Sequence, residues 1–390
     1  MLIGRQVTVL GAGVAGLTVA RALALRGAEV TVLEQSEAIR EVGAGLQISP
    51  NGARVLRALG LGEALAKAGP RAEAVELIDG ETEARVARLD LTRQGPGAEY
   101  RLLHRARLIE FLAEGAREAG VQIRLLQKID AVDLSGPKPR LTTHQGATIE
   151  CDFLVGADGL HSVLRKALNG DAAPFFTHQV AWRALVPARD DEPPLAQVFM
   201  GAGRHLVSYP LGNGLRNIVA IEERRRWVEE SWTLHDDALS LKTAFESFGP
   251  TVQNWLDEVE NPWLWGLFRH PVAERWHGPR CAVLGDAAHP TLPFLAQGAV
   301  MAIEDAWVLA DCLANHEDDV ALAAYQAARR PRTSAIVEAA NRNARNYHLS
   351  GLTRSVAHLG LRAASRFAPG RLLGRFDWVY AHDVTGGAGG

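Results

Sequence analysis

The chain has 390 residues and a formal net charge of −3, from 42 basic and 45 acidic side chains, and 47% of it is hydrophobic. That length suggests two closely packed domains with a C-terminal extension, and the composition is that of a globular protein with a large core. The charge balance argues against nucleic acid or an anionic membrane as the main partner, since each requires a basic excess.

In chain order, the first pattern predicts a strand over Val7–Leu10, a glycine-rich turn, a helix over Val14–Arg26 stopped by Gly27, and a strand over Glu29–Glu34. Val7 to Leu25 is nearly all apolar, yet Thr8, Thr18, Arg21 and three glycines interrupt it. No secretory leader pattern or spanning window of about 20 apolar residues is present, so no integral membrane segment is expected. A helical stripe of Leu108, Phe111, Leu112, Gly115 and Ala119 predicts a helix over Arg107–Ala119, with strands following over Val121–Leu126 and Phe153–Ala157. Between about Phe175 and Trp276 the texture changes. Short runs (Gln179–Val186, Gln197–Met200, His205–Pro210, Asn217–Ile221) separated by turn residues predict a mixed or antiparallel sheet rich in tryptophan. The α/β rhythm returns at Cys281–Asp286, followed by a stripe of Ile303, Ala306, Trp307, Ala310 and Leu313, then Ala- and Arg-rich helix and a frayed tail over Gly386–Gly390. The expected division is a segmented nucleotide-binding domain (1–72, 100–172, 277–330), a sheet-rich domain (73–99, 173–276) and a C-terminal helical segment (331–390). Cys151, Cys281 and Cys312 lack CxxC spacing, so no disulfide framework or zinc site is indicated, and a cytoplasmic setting fits.

Gly11-Ala12-Gly13-Val14-Ala15-Gly16 follows a strand and opens a helix, the context that the GxGxxG fingerprint requires. Gly11 permits the turn, Gly13 lets a pyrophosphate approach the backbone, and Gly16 lets helix and strand pack. Glu34 closes the second strand, where a carboxylate can bind both hydroxyls of an adenosine ribose and repels a 2′-phosphate. Two further motifs follow. One is Asp158-Gly159-Leu160-His161-Ser162 with Arg165; the other is Gly285-Asp286-Ala287-Ala288-His289-Pro290, then Pro293, Gln297 and Gly298 at a helix start. Asp286 can accept from a ribityl hydroxyl, and the Gly298 amide can face the negative locus of a reduced flavin ring.

These three motifs, in this order and over nearly the whole length, resemble the single-component (group A) FAD-dependent aromatic hydroxylases. The likeness is greatest to salicylate hydroxylases and 6-hydroxynicotinate 3-monooxygenases, and VGAGLQISPN (42–51), LLHRARL (102–108), AQGAVMAIEDA (296–306) and WVYAHDV (378–384) support it. The resemblance implies a p-hydroxybenzoate hydroxylase-like, GR2-type Rossmann fold, with an inserted mixed β-sheet substrate domain and C-terminal helices. It implies that Gly11, Gly13, Ala15, Gly16, Glu34 and Gln35 hold the ADP half of FAD, and that Arg105 lies near the pyrophosphate and ribityl chain. Asp158 would serve both FAD and NADH or NADPH. Asp286 would hold the ribityl chain, while Pro293, Gly298, Ala299 and Gln47 would border the isoalloxazine. Arg107 and Ala296 depart from the family, which often has Asp and Gly at those places.

The implied reaction consumes NAD(P)H and O2 and hydroxylates a small aromatic acid or phenol through a flavin hydroperoxide; a homodimer is compatible with it. His205 and Tyr209, four apart on a strand, face the same way and match a His and a Tyr in the substrate site of 6-hydroxynicotinate monooxygenases. A histidine titrating near neutrality beside a phenol can shuttle the substrate proton. The plainer reading makes His205 a polar strand residue and Tyr209 a packing aromatic. Gln47 stands where that relative has a histidine and cannot titrate, which argues against 6-hydroxynicotinate itself as substrate. His289 and His161 read as capping groups rather than bases. Arg183 or Arg216 could bind a substrate carboxylate, although a surface arginine is the default. Three rival readings are a flavin reductase, a non-catalytic flavin sensor and a halogenase. The last is weakened because Gly266-Leu267 follows Trp263-Leu264-Trp265 where that signature needs Ile-Pro.

Overall fold

The computed structural model describes residues 2–39, 45–95, 97–189, 191–224 and 236–386. Residues 42–44 of the VGAGLQISPN segment, Trp227, Trp232 and the final 387–390 of the expected tail lie outside them. Three β-branched residues in a row make Gln6–Leu10 a strand, β1, and Gly11 at φ +92° turns the chain into helix α1 (Val14–Ala24). Gly27, at φ +100°, ends that helix before β2 (Glu29–Leu33). Then come β3 (Gly45–Ile48), α2 (Pro50–Ala58), α3 (Gly62–Ala68), a hairpin of β4 (Ala74–Asp79) and β5 (Arg85–Asp90), and β6 (Arg101–His104), which pairs with β3. Helix α4 (Arg105–Glu118) begins two residues before the expected Arg107 because the His104 ring accepts from the Ala106 amide. Strand β7 (Gln122–Arg124) follows. Next is a separate three-stranded sheet of β8 (Ile129–Asp133), β9 (Arg140–Thr143) and β10 (Thr148–Glu150), which the sequence reading passed over because these strands bury few apolar side chains. β11 (Leu154–Gly156) and α5 (Val163–Asn169) complete the first half.

The sheet-rich region runs β12 (Phe175–Pro187), β13 (Leu195–Gly201), β14 (Arg204–Gly212), β15 (Leu215–Glu223), α6 (Ala238–Ala244), α7 (Pro250–Asp257) and β16 (Trp263–Arg269). After it come β17 (His277–Gly278), β18 (Cys281–Val283), α8 (Gly298–Asn315), α9 (Asp318–Tyr347), α10 (Gly351–Phe367), α11 (Pro369–Gly374) and α12 (Asp377–Tyr380). Two large sheets result. One has the order β17-β18-β11-β1-β2-β7 and is parallel except at β17. The other has the order β16-β12-β15-β14-β13-β4-β5 and is antiparallel except where β13 lies parallel to β4. The seven-stranded sheet packs one face, with Trp182, Leu206 and Ile218, against Phe245, Phe248 and Leu256 of the α6–α7 region. Its other face, with Tyr209 and Leu211, meets Tyr100, Leu372 and Tyr380. The expected limit at residue 331 falls inside α9. Pro331 removes one helix hydrogen bond, but its neighbours Arg329, Arg332 and Thr333 are held by partners and the helix runs on.

One buried charge network joins these parts. Asp305, fully buried, accepts from Arg329 Nε at 2.7 Å and the Gly285 amide at 3.1 Å, and bonds His289 Nε2 at 2.5 Å. Glu304, equally buried, takes Arg329 Nη2 at 2.7 Å, both Arg332 nitrogens at 2.9 Å and Asn51 Nδ2 at 2.7 Å. Burial alone would raise both carboxyls, but His289 and the two guanidiniums outweigh it and hold both down at about 2. Arg332 also donates to the Trp378 and Val379 carbonyls, and Arg54 to those of Tyr380 and His382, so the C-terminal segment is tied to the same cluster. Replacing Arg329 with Met should therefore destabilise the protein by about 3–5 kcal/mol, because two buried carboxylates lose a shared partner. Urea denaturation measures it, and a loss below about 1 kcal/mol would show that the network is not a structural requirement.

Candidate active site

The turn after β1 is built around what a side chain would hit. A Cβ on Gly16 would sit 1.9 Å from the Gly11 carbonyl oxygen, and one on Gly11 would sit 2.6 Å from the Ala157 oxygen, so both positions exclude a side chain. A Cβ on Gly13 would meet nothing within 4 Å, because its backbone faces an open trough at the start of α1. That clearance beside helix amides suits a pyrophosphate. Glu34 is fixed above the turn: Oε2 accepts from the Ala12 amide at 2.7 Å and Oε1 from the Ser36 amide at 2.9 Å. Each oxygen keeps a second lone pair for a ribose hydroxyl.

Two adjoining cavities hold the expected cofactor residues. The first, about 360 Å³, is lined by Gly11, Gly13, Glu34, Gln35, Asp158 and His161, among others. The second, about 310 Å³, is lined by Gly13, Ala15, Gln47, Arg105, Asp286, Pro293, Gly298 and Ala299 among others, with Gly13, Ala157 and Gly159 common to both. Gly16 lines neither, serving the turn instead. The Asp158 carboxylate is committed to the start of α5, accepting from the Ser162 hydroxyl and, at 2.8 Å, the Val163 amide. Asp286 exposes its side chain to the second cavity, and the protein around that cavity raises its carboxyl despite His289 and Arg105 nearby. A carboxylate so placed fits a hydroxylated ribityl chain. Ala296, where the family often has glycine, adopts φ +52°, a left-handed conformation that costs an alanine roughly 1–2 kcal/mol.

A third, mainly apolar chamber of about 600 Å³ meets the second cavity at Gln47, Val207, Pro293 and Ala296. At this junction four side chains cluster. Tyr100 donates to Gln47 Oε1 at 2.6 Å and meets the Tyr380 ring edge-on at 5.9 Å, and Tyr209 lies beside Gln47. Burial pushes the phenols up, Tyr380 to about 12 and Tyr209 and Tyr100 further, so all three are neutral near pH 7. Tyr209 lines the second cavity, where its hydroxyl can donate to a bound group.

His205 shares the face of Tyr209, as its spacing implies, but is fully buried and lines none of these three cavities. Its Nδ1 lies 2.7 Å from His348 Nε2, and His348 Nδ1 lies 2.7 Å from Glu223 Oε1. Its ring packs edge-on against Phe294. Burial and the neighbouring His348 drive it well below the ordinary histidine range, so it is not the group titrating near neutrality that the sequence suggested. The arginines also divide. Arg183 lines the flavin-sized cavity and stacks on Trp265 at 4.4 Å. Arg216 is buried on the opposite side of the sheet, held by Ser208 and Glu192 and stacked on Trp255. His289 is enclosed by its bond to Asp305. Tyr100 and Tyr380 escaped the sequence reading; the one available signal was that Tyr380 lies in the WVYAHDV segment.

Residues 5–340 match the FAD binding domain family. The chain is 35% identical over 392 residues to 3-amino-4-hydroxybenzoate 2-monooxygenase PtmB3 of Streptomyces platensis, covering 97% of this chain and 96% of that one. It is 34% identical to 3-hydroxybenzoate 6-hydroxylase of Polaromonas naphthalenivorans, with 97% and 96% covered. Among solved structures, a salicylate hydroxylase substrate complex superposes with a TM-score of 0.82 at 24% identity, over 98% of this chain and 97% of that chain, a likeness of fold.

Asp286→Asn should weaken FAD retention at least tenfold, read as flavin absorbance after gel filtration, at an unchanged apoprotein melting temperature. A fall in both would show the carboxylate to be structural. For pH, burial holds His205 and His348 neutral in the fold, whereas the unfolded chain protonates them near 6.5. The unfolded state then binds more protons below about pH 6.5, so their contribution to stability is present above that pH and lost as pH falls through it. Asp286, with its raised carboxyl, works in the opposite sense. The drop in melting temperature between pH 7.5 and 5.5 should therefore be smaller in His205→Gln than in the parent, and an equal drop would contradict the assignment.

Proposed function

We propose, on the premise that this chain belongs to the FAD binding domain family and is an FAD-dependent aromatic monooxygenase, that it hydroxylates a small aromatic acid or phenol using NAD(P)H and O2. The observation that carries this reading is the placing of Tyr209, Gln47 and Arg183 together on the wall of the cavity that joins the nucleotide trough to an apolar chamber. Both relatives are enzymes of hydroxylated benzoates by name, which supports the substrate class. When bound, FAD would supply the redox chemistry, hydride uptake from NAD(P)H and activation of oxygen. Gly13 and the start of α1 would hold its pyrophosphate, Glu34 its ribose and Asp286 its ribityl chain. Arg105, Pro293 and the Gly298 amide at the start of α8 would border the ring system. NADH or NADPH serves as the reductant, with Asp158 on its side of the cofactor trough, and a homodimer is compatible with this reading.

The remaining chemistry belongs to side chains. A ring at the junction is walled by Val207 and Pro293 and shielded from water by the chamber. Tyr209, a neutral phenol, donates to the substrate oxygen and steadies the negative charge that raises ring nucleophilicity. Arg183, braced on Trp265, offers a guanidinium to a carboxylate. His205 acts as a positioning residue, supporting Phe294 and, through it, the Pro293 turn.

A panel of hydroxybenzoates, hydroxypyridine carboxylates and anthranilates, scored for stimulated NAD(P)H oxidation, O2 uptake and product, tests the assignment. With the best substrate, Tyr209→Phe should lower hydroxylated product roughly 100-fold at unchanged flavin content. Turnover equal to the parent would remove Tyr209 from the mechanism, and the absence of substrate-stimulated O2 uptake across the panel would overturn the reading.

A further inference from the structure

Helix α10 has one face accounted for and one that is not. Its inner face, with Ala357, His358 and Leu361, lines the apolar chamber, and Arg354 reaches inward to Asp79 and Glu81. Its outer face presents Leu352, Val356, Leu359 and Phe367 at 85%, 70%, 69% and 80% exposure. Their spacing places them on a single stripe about 100° wide, with Gly360 and Ala363 between them and Arg362 and Arg366 along one flank. A soluble monomer has no use for four large apolar side chains aligned in water, so the stripe marks an interaction surface.

Charge identifies the occupant. Residues 351–376 contain no Asp or Glu; Arg354 is taken up by Asp79 and Glu81, which leaves Arg362, Arg366, Arg371 and Arg375 as exposed cations in a chain whose net charge is −3. The whole-chain balance conceals this local excess. An α10–α10 pairing with a second copy would bring arginines together without an acidic group in the segment to receive them. An apolar stripe flanked by arginines matches an anionic lipid surface, where the stripe enters the headgroup boundary and the guanidiniums meet phosphates. Among the described residues no helix is long and apolar enough to cross a membrane, so the contact lies in the plane of the surface.

We propose that the outer face of α10 docks this protein on an anionic lipid bilayer. The FAD-loaded full chain is floated with phosphatidylcholine vesicles, with or without phosphatidylglycerol, at low and high salt. It should float with the anionic vesicles, more weakly at high salt. Val356→Glu/Phe367→Glu should lower the bound fraction about tenfold. Arg362→Ala/Arg366→Ala should bring it towards the level seen with phosphatidylcholine alone, and both double variants should retain flavin absorbance as a check of folding. The proposal is overturned if the parent protein floats with neither vesicle, or if both variants bind as the parent does. It is equally overturned if the parent sediments as a dimer that Val356→Glu/Phe367→Glu makes monomeric while no form binds lipid, which would make the face an interface between copies.

Discussion

Two carboxylates out of reach of water, side by side on α8, set the terms for the rest of the molecule. Glu304 and Asp305 can stay ionised only if every neighbour supplies a donor, and their donors come from α2, the loop before α8, and α9. A buried ion cluster of this kind is a weak source of net stability, because desolvation offsets most of its attraction. Its effect is geometric. Any shift of α9 against α8 would strand a charge, so the loop carrying Asp286 and Pro293 has one low-energy position. Through Arg332 and Arg54 the same constraint reaches the segment that carries Tyr380, and hence the far end of the tyrosine cluster. Cofactor trough and ring chamber are thus registered to each other by groups that touch neither.

Around that rigid frame the site tolerates local penalties. Asp286 turns its carboxylate into a cavity whose surrounding protein disfavours the charge, and Ala296 holds a left-handed backbone. Both are unfavourable in isolation, and both sit where a cofactor could repay them by hydrogen bonds or contact. Unfavourable local states concentrated at one cleft, within an otherwise matched interior, distinguish a binding site from a packing defect.

What the sequence disclosed follows from how local each signal is. The β1–turn–α1 unit, Glu34 at the end of its strand and Gly298 at the start of α8 each carry their context within a few residues. The parity of a strand was also legible, placing His205 and Tyr209 on one face. Which of the two opens to the cavity was not, because Phe294, Tyr347 and His348 cover His205 from distant segments. Arg183 and Arg216 show the same limit: Arg183 stands opposite Val219 in the ladder, so Arg216, three positions from Val219, faces the other way. That choice depends on register, which spacing within one strand cannot supply. The Tyr100–Tyr380 contact spans most of the chain, and although WVYAHDV marks the segment of Tyr380, nothing local in it pairs that residue with Tyr100.

The order of the chain has a consequence for its biosynthesis. The loop that completes the cradle of the nucleotide turn, Gly285 to Ala299, leaves the ribosome about 270 residues after that turn. At roughly 5–20 residues per second that interval is on the order of tens of seconds. Throughout it α1, which packs on α8 in the finished protein, lacks that partner and exposes its apolar side to solvent or to chaperones. Capture of the dinucleotide is therefore a late event in maturation, and a transcript truncated within the inserted sheet would yield a fragment unable to retain it.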